Sequence, residues 1–338
     1  MRLRRCCAWV AAFALGNAAA QAPAPRFEQR NEALLTDIER VHGLTEEQAT
    51  TLRAIFSKSP LIGQGNPAVT RHPMSPEQCS AKLEATDTSY ANPEFERICG
   101  AKYMSPLYDP ATQSIEDAKT CIDQFEFPDI PCTYPVTWVR ASEAAQICEA
   151  MGKRLCDAHE WEGACAGELL EPDYHFDLAQ GVPPGIAIER MRQAHNAADA
   201  GKEIWSYGPE YQTGVCAAAS AKSPGCDGDS WALCGSNTYP SGSFPACHSP
   251  LGVYDLNGNV AEHMNLPVDP SQMASGGSRE LGYTEMKGSW FIFDSYRAHP
   301  DQCRWRAPFW HGSRVMDPNS HRNYHLGFRC CGTLGAAK

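Results

Sequence analysis

Cysteine content is the feature that most limits how this chain can fold. The sequence holds 16 cysteines, two of which, Cys6 and Cys7, belong to an N-terminal leader. The remaining even number, in a chain that carries a leader, predicts disulfide bonds. The cysteines form no CxxC pair, so a structural zinc site is the weaker interpretation. We therefore expect a loop-rich fold that disulfides stabilise.

The leader has the pattern of a signal peptide over residues 1–22. A basic start precedes an apolar run at residues 6–16, and small residues allow cleavage near Ala20 or Ala22. A membrane anchor is the alternative, but this run is too short to span a bilayer with ease. We expect a periplasmic or secreted protein with no membrane insertion. Its formal charge of −11 disfavours nucleic acid as a partner.

An N-terminal region is expected over residues 23–115. Apolar spacing predicts a helical hairpin at 31–58, in which Gly43 ends the first helix and Thr45 with Gln48 caps the second. The simplest role for this hairpin is packing against the core. Residues 59–115 are rich in Pro, Ser, Thr and Asn and predict an irregular connector tied by disulfides.

A second domain is expected over residues 116–335. Helices are predicted to begin after Ser142 and after Asp157, and residues 168–250 are predicted to be mostly irregular. Apolar patterning predicts short strands at 121–128, 135–139, 286–293, 303–310 and 324–331.

Four motifs in this second domain resemble those of sulfatase-modifying-factor proteins. The segment "PVTWVRASEAAQICEAMGKRLCDAHEWEGACAG" resembles the family's helix, Gly-Lys-Arg-Leu and Glu-Trp-Glu run. "GVYDLNGNVAEH" resembles its Gly-Asn-Val-Trp-Glu-Trp loop, "MKGSWF" its Gly-Gly-Ser-Trp strand and "HLGFRCC" its closing Gly-Phe-Arg-Cys. Four motifs in the same order are far more specific than one.

The resemblance implies an α+β fold of the elaborated C-type-lectin type, rich in loops and disulfides. The family includes formylglycine-generating enzymes, the C-terminal domain of ergothioneine-type sulfoxide synthases and a pyoverdine-maturation protein. It also implies a calcium ion held by the backbone carbonyls of Asn257, Gly258 and Val260 and the carboxylate of Glu262. Calcium takes six to eight oxygen ligands, which a tight turn can supply. An Asn-Gly turn with an exposed glutamate is the alternative.

The copper site of formylglycine-generating enzymes is incomplete in this sequence. The matching stretch is "SYRAHPDQC" at 295–303, where Ala298 replaces the first of two copper-binding cysteines and Cys303 matches the second. Two thiolates suit Cu(I), and one is missing. The resemblance places His299, Cys303 and Arg304 at the reactive position as candidate catalytic residues, with Trp290 and Arg306 as candidate substrate-binding residues nearby.

Two disulfides follow from the resemblance. Cys148 and Cys330 match one family pair. Cys165 matches a second, whose usual partner position holds Pro308, so that Cys303 is the nearby candidate. A free Cys303 remains the alternative.

Histidines form a second set of candidate ligands for a redox metal. His299, His321 and His325 lie in the C-terminal third, with His-x3-Cys and His-x3-His spacings that suit metal ligation. An iron or copper site with an open position would activate oxygen. Loop histidines without a metal are the alternative.

These observations favour an oxidative maturation enzyme that acts on a peptide, protein or peptide-derived substrate, but not a true formylglycine generator. The rival hypothesis is a non-catalytic, calcium-stabilised binding module. In it, aromatic side chains such as Trp205, Tyr207 and Tyr211 would line a groove, although large aromatics more often form the core.

Overall fold

The computed structural model describes residues 26–228, 230–294, 297, 299–308 and 312–335. The predicted signal peptide lies outside these residues, as do Ser295, Tyr296 and Ala298 of the copper-like motif. Within the described part of the chain, no helix is long and apolar enough to cross a membrane.

Seven helices and seven strands are distributed along the described residues. The helices are α1 (Phe27–His42), α2 (Glu46–Lys58), α3 (Pro76–Ala85), α4 (Pro93–Cys99), α5 (Ala141–Ala150), α6 (Ala158–Ala166) and α7 (Pro184–Ala198). The strands are β1 (Met104–Leu107), β2 (Thr120–Asp123), β3 (Arg154–Leu155), β4 (Ala261–Leu266), β5 (Tyr283–Lys287), β6 (Leu326–Gly327) and β7 (Cys330–Thr333).

The strands form two small sheets. One has the order β1-β2-β7-β3 with antiparallel pairs throughout. The other has the order β5-β4-β6, in which β4 pairs antiparallel with β5 and parallel with β6. Helices and sheets together confirm the expected α+β class.

Local signals at helix ends account for the helices that the sequence predicts well. Gly43 ends α1 in the left-handed conformation at φ 63°, which glycine adopts without steric cost. Thr45 and Gln48 form the expected capping box of α2. Asp157 and Glu160 do the same for α6.

Several predicted elements are corrected. The connector at 59–115 contains α3, α4 and β1, and the region at 168–250 contains α7. Residues 135–139 form no strand, because their backbone donors bond to two different segments instead of to one neighbouring strand. Val136 N donates to Phe127 O, and Trp138 N donates to Asn323 O. Residues 303–308 likewise form no strand. The cap of α5 is Arg140 rather than Ser142.

Seven disulfides link the described chain. They pair Cys79 with Cys132, Cys99 with Cys121, Cys148 with Cys330, Cys156 with Cys331, Cys165 with Cys303, Cys216 with Cys247 and Cys226 with Cys234. All 14 cysteines outside the leader are therefore paired, and the two pairings that the resemblance implies are among them.

The core is shared between the N-terminal hairpin and the second domain. Leu34, Ile38 and Leu52 of the hairpin belong to one buried cluster with Val139 and Ile147. A second cluster lies under α6 and β4 and includes the sulfurs of Cys165 and Cys303. This second cluster supports the segment that carries the candidate site.

Candidate functional site

A buried disulfide occupies the position where the family places its reactive thiol. Cys165 lies on α6, Cys303 lies in the segment 299–308, and both are fully buried. The bond leaves Cys303 without a thiol to bind copper or to act as a nucleophile. The expectation of a reactive thiol at Cys303 therefore does not hold in this structure. The residues at this position do not fit a two-thiolate copper site.

His299 is enclosed by aromatic rings. Its imidazole stacks on Trp305 with ring centroids 4.9 Å apart, and it lies 5.0 Å from Phe293 and 5.6 Å from Trp290. Burial lowers the pKa of His299, so that its neutral form is favoured. Trp290 is thus part of an aromatic stack rather than an open surface for substrate.

His325 lies on the same aromatic stack. Its ring is parallel to Trp290 at a centroid distance of 4.2 Å. A redox metal at His299, His321 and His325 stays a prediction. Among the described residues, two groups of three His, Cys, Asp or Glu side chains have ligand atoms within 4.8 Å of one another, and neither includes these histidines: Cys156, Glu160 and Cys331 form one, and Glu162, Asp173 and His195 the other.

Arg306, a candidate substrate-binding residue, is fully enclosed in an ion cluster. Its Nε donates to Glu162 Oε1 at 2.9 Å and its Nη2 to Asp173 Oδ1 at 3.0 Å. Lys287 Nζ also donates to Glu162 Oε1, at 3.1 Å. Burial alone would raise the pKa of Glu162, but Arg306 and Lys287 hold that pKa well below its usual range. Because Arg306 is 0% exposed, its expected role in binding substrate is not possible in this conformation.

Arg304 and His195 support the same segment, and His195 belongs to the ion cluster through Asp173 and Glu162. Arg304 Nη2 donates to Glu168 Oε1 at 3.0 Å, and its backbone carbonyl lies 2.5 Å from His195 Nε2. His195 Nδ1 lies 2.7 Å from Asp173 Oδ2. His195 belongs to α7, which the sequence did not predict, so its role here was missed as well.

The Asn-Gly loop is held by protein groups. Arg329 donates to both oxygens of Glu262, with Nε to Oε2 at 2.7 Å and Nη2 to Oε1 at 2.6 Å. Trp161 Nε1 donates to Glu262 Oε2 at 3.0 Å. A guanidinium in contact with both oxygens repels a second cation, so Glu262 does not fit the calcium role that the resemblance implies. Calcium at the carbonyls of Asn257, Gly258 and Val260 stays a prediction.

The side chain of Asn257 instead joins two loops next to the disulfide. Its Oδ1 accepts a hydrogen bond from Ser206 N at 2.8 Å, and its Nδ2 donates to Asp301 O at 2.7 Å. Cys303 N donates to Ile204 O at 2.7 Å beside it. These bonds fix the relative position of the loop after α7 and the reactive segment.

A pocket opens between those two loops. It is small, with a volume of about 10 Å³, which is room for about one water molecule, and its lining includes Tyr207, Tyr211, Asn257, Asp294 and Asp301. We call it the tyrosine–aspartate pocket, after Tyr207, Tyr211, Asp294 and Asp301. Trp205, which the sequence singled out with the two tyrosines, donates from Nε1 to Asp301 Oδ1 at 3.0 Å.

The anions of this pocket are its two carboxylates. Tyr211 donates its hydroxyl to Asp294 Oδ1, and Gly214 N donates to Asp294 Oδ2 at 3.1 Å. Burial raises the pKa of Tyr207 to about 12 and, together with the bond to Asp294, raises that of Tyr211 as well. Both phenols are therefore neutral at physiological pH, and the acidic side chains of the pocket are Asp294 and Asp301.

These features define a class: a disulfide-linked α+β domain of C-type-lectin-like fold, with a small pocket beside the Cys165–Cys303 disulfide. A family model described as the sulfatase-modifying factor enzyme 1-like domain matches residues 68–334. The chain belongs to this family, which confirms the resemblance seen in the motifs. The match begins before residue 116, where the sequence suggested a domain boundary.

Comparisons with individual proteins contribute less to the assignment than the family model does. No match is found among curated proteins. Among solved structures, the crystal structure of CarF is similar at 12% sequence identity and a TM-score of 0.35, over 68% of this chain and 96% of that one. The family assignment rests on the domain match.

Proposed function

We propose that this protein binds a peptide-like ligand in the tyrosine–aspartate pocket and carries out no thiol or copper chemistry there. The observation that carries this proposal is the disulfide between Cys165 and Cys303, which consumes the cysteine of segment 299–308, while aromatic and carboxylate side chains border a small cleft beside it. The pocket offers aromatic faces, carboxylates and backbone groups, which suit recognition of a polar ligand. Export through a signal peptide agrees with the pairing of every cysteine outside the leader.

An oxidative maturation enzyme is the second candidate. It is favoured by the two imidazoles of His299 and His325, which both contact the ring of Trp290. This candidate requires a redox metal at His299, His321 and His325. It predicts that the purified protein retains iron or copper and consumes oxygen in the presence of its substrate.

Panning a phage-displayed heptapeptide library on the mature, disulfide-bonded protein tests the binding proposal. We expect enriched peptides whose affinity falls at least about tenfold in Asp294→Asn, because one of the two pocket anions is lost. Glu116→Gln is the matched control, since Glu116 pairs with Arg97 on the surface and should leave affinity unchanged. Failure to enrich any peptide, or equal affinity for the Asp294 variant, would overturn the proposal.

A second assay with the same protein distinguishes the binding proposal from the oxidative candidate. A cysteine-containing peptide incubated with the protein, copper(I) and oxygen should keep its mass, since no thiolate pair is present to hold the copper. Metal content by mass spectrometry and a change in peptide mass would instead favour the oxidative candidate.

A further inference from the structure

Two arginines lie near each other at the start of α5. Arg140 is the residue before this helix, and Arg322 belongs to the segment that precedes β6. A backbone hydrogen bond joins the two segments: Trp138 N donates to Asn323 O at 3.1 Å, and both bonded residues are buried. Arg140 is two residues from Trp138. Arg322 is next to Asn323, so this bond holds the two arginines close together.

The charges of this arginine pair are not balanced. Arg140 has one acidic neighbour, Glu143, whose Oε1 lies 3.6 Å from Arg140 Nη1, and Arg322 forms no ion pair with any described residue. Partial burial and the charge of Arg140 lower the pKa of Arg322, and the charge of Glu143 offsets this only in part. Two guanidinium charges against one carboxylate leave one positive charge in excess.

Both guanidinium groups carry a buried donor without a partner. Arg140 Nε and Arg322 Nη1 are enclosed by protein atoms, and neither forms a hydrogen bond within the described part of the chain. Ser320 Oγ, two residues before Arg322, is also buried and has no hydrogen-bond partner among the described residues. A buried charged donor without an acceptor is costly, and native proteins satisfy such donors with water or an ion. These donors therefore point to an acceptor that the described chain does not supply.

The rest of each guanidinium can be reached from solvent. The Arg140 side chain is 25% exposed, and Arg322 is half-buried. Because Arg140 directly precedes α5, the partial positive charge at the N-terminus of this helix adds to that of the arginines. The planar fork of a guanidinium matches the paired oxygens of a carboxylate or a phosphate group.

We infer that Arg140 and Arg322 form a binding site for an oxyanion, which is a carboxylate or a phosphate group. The ligand oxygens accept hydrogen bonds from both guanidinium groups, and the ligand charge neutralises the positive charge in excess. The tyrosine–aspartate pocket offers the opposite charge, since its acidic side chains are Asp294 and Asp301. The oxyanion site therefore goes beyond the proposed function and does not depend on it.

Nuclear magnetic resonance of the arginine Nε–Hε groups in the mature, disulfide-bonded protein tests the inference. Sodium acetate and sodium phosphate are the two probes, and sodium chloride keeps the ionic strength constant. The signals of Arg140 and Arg322 are assigned by their loss in Arg140→Gln and Arg322→Gln. We expect at least one probe to shift both signals to saturation with a single dissociation constant. The signal of Arg279 should not saturate, because its side chain is 92% exposed on a surface ion pair.

Arg322→Gln measures the contribution of the second guanidinium. It should weaken binding of the probe at least about fivefold, because one of the two forks is lost. Arg322→Lys keeps the charge without the fork and should also bind more weakly than the wild type. Arg279→Gln is the matched control and should leave the affinity unchanged. Arg322→Gln removes a charge that Arg140 repels, so its urea midpoint without probe should equal or exceed that of the wild type.

Three results would overturn the inference. They are the absence of saturation of the Arg140 and Arg322 signals with either probe, an unchanged affinity in Arg322→Gln, and an equal response of the Arg279 signal. Water alone would then satisfy the buried donors. None of these results affects the proposed function, because the panning experiment with Asp294→Asn reports on the tyrosine–aspartate pocket.

Discussion

One buried carboxylate, Glu162, pairs with two cations that water does not reach. Arg306 and Lys287 are each about 0% exposed in their side chains, and both donate to Glu162. Removal of one partner from a buried ion group leaves the other charges uncompensated, which typically costs about 3–5 kcal/mol. We therefore expect Glu162→Gln to lower the free energy of unfolding by about that amount, measured by urea denaturation.

The surface pair of Glu116 and Arg97 provides the contrast. Both side chains are more than half exposed, at 59% and 57%. Water solvates either charge if the other is removed, so Glu116→Gln should change the free energy of unfolding by less than about 0.5 kcal/mol. Equal losses for the two variants would show that the Glu162 cluster is not the buried ion group described.

Two other buried carboxyls form no ion pair within the described part of the chain. Ser241 Oγ donates to Glu126 Oε2 at 2.7 Å, and Gly242 N donates to Asp255 Oδ2 at 2.6 Å. The remaining oxygen of each carboxyl is buried and accepts no hydrogen bond from the described part of the chain. Burial, with the neighbouring Glu262 adding to it, raises the pKa of Asp255 to about 7. Burial and the charge of Asp255 raise the pKa of Glu126.

These raised pKa values predict a loss of stability with rising pH. Between pH 3.8, the ordinary pKa of an aspartate, and about pH 7, the folded chain keeps a proton on Asp255 that the unfolded chain has released. The unfolded state binds fewer protons there, so stability falls as pH rises through this window, by at most about 1.4 kcal/mol per pH unit for one group.

Asp255→Asn should remove this dependence, because the amide is neutral throughout. We expect it to be more stable than the wild type at pH 8, with the difference shrinking toward pH 4. Taking the difference between variant and wild type cancels the contributions of partly buried histidines such as His42, whose pKa desolvation lowers. Asp37→Asn, on the surface of α1, is the control. A constant difference across pH would contradict the prediction.

At the scale of elements, local end signals located α1, α2 and α6, but α3 and α4 carry such signals as well and lay in the region predicted to be irregular. The predicted strands at 121–128, 286–293 and 324–331 overlap observed strands only in part. Capping residues and end glycines lie within a few positions of the helix they delimit, as at Thr45, Asp157 and Gly43. Helix α7 has neither a side-chain cap nor a glycine end, and it was missed. Residues 135–139 are apolar because they are buried among loops, and Trp138 has a φ of 56°, which no strand accommodates.

The candidate site is likewise only partly predictable from the sequence. The motifs located segment 299–308 and both implied disulfides, because the resemblance supplies these positions directly. The sequence indicates the tyrosines of the tyrosine–aspartate pocket but not its carboxylates. Asp294 and Asp301 lie about 80 residues further along the chain, so sequence proximity does not connect them to the tyrosines. The prediction that Arg306 binds substrate is wrong in this structure, because the sequence does not show that Arg306 is buried in an ion pair with Glu162.

At the scale of the whole molecule, the N-terminal hairpin and the second domain share one core. Ile38 of α1 is fully buried in the cluster that holds Val139 and Ile147. Ile38→Ala removes buried methylene and methyl groups and leaves a cavity, which typically costs about 2–5 kcal/mol. If the hairpin and the domain unfold as one unit, this cost must appear in both parts at once.

Two probes in one urea titration separate these possibilities. Outside the leader, every tryptophan lies beyond residue 58, so tryptophan fluorescence reports mainly on the second domain, with one tryptophan, Trp231, also contacting Phe27 of α1. Far-UV circular dichroism includes α1 and α2 as well. We expect Ile38→Ala to shift the midpoints of both signals together and by the same amount. Glu28→Gln, on the exposed first turn of α1, should shift neither. A shift confined to circular dichroism would mean that the hairpin unfolds independently and that its burial against Val139 adds nothing to the stability of the pocket-bearing domain.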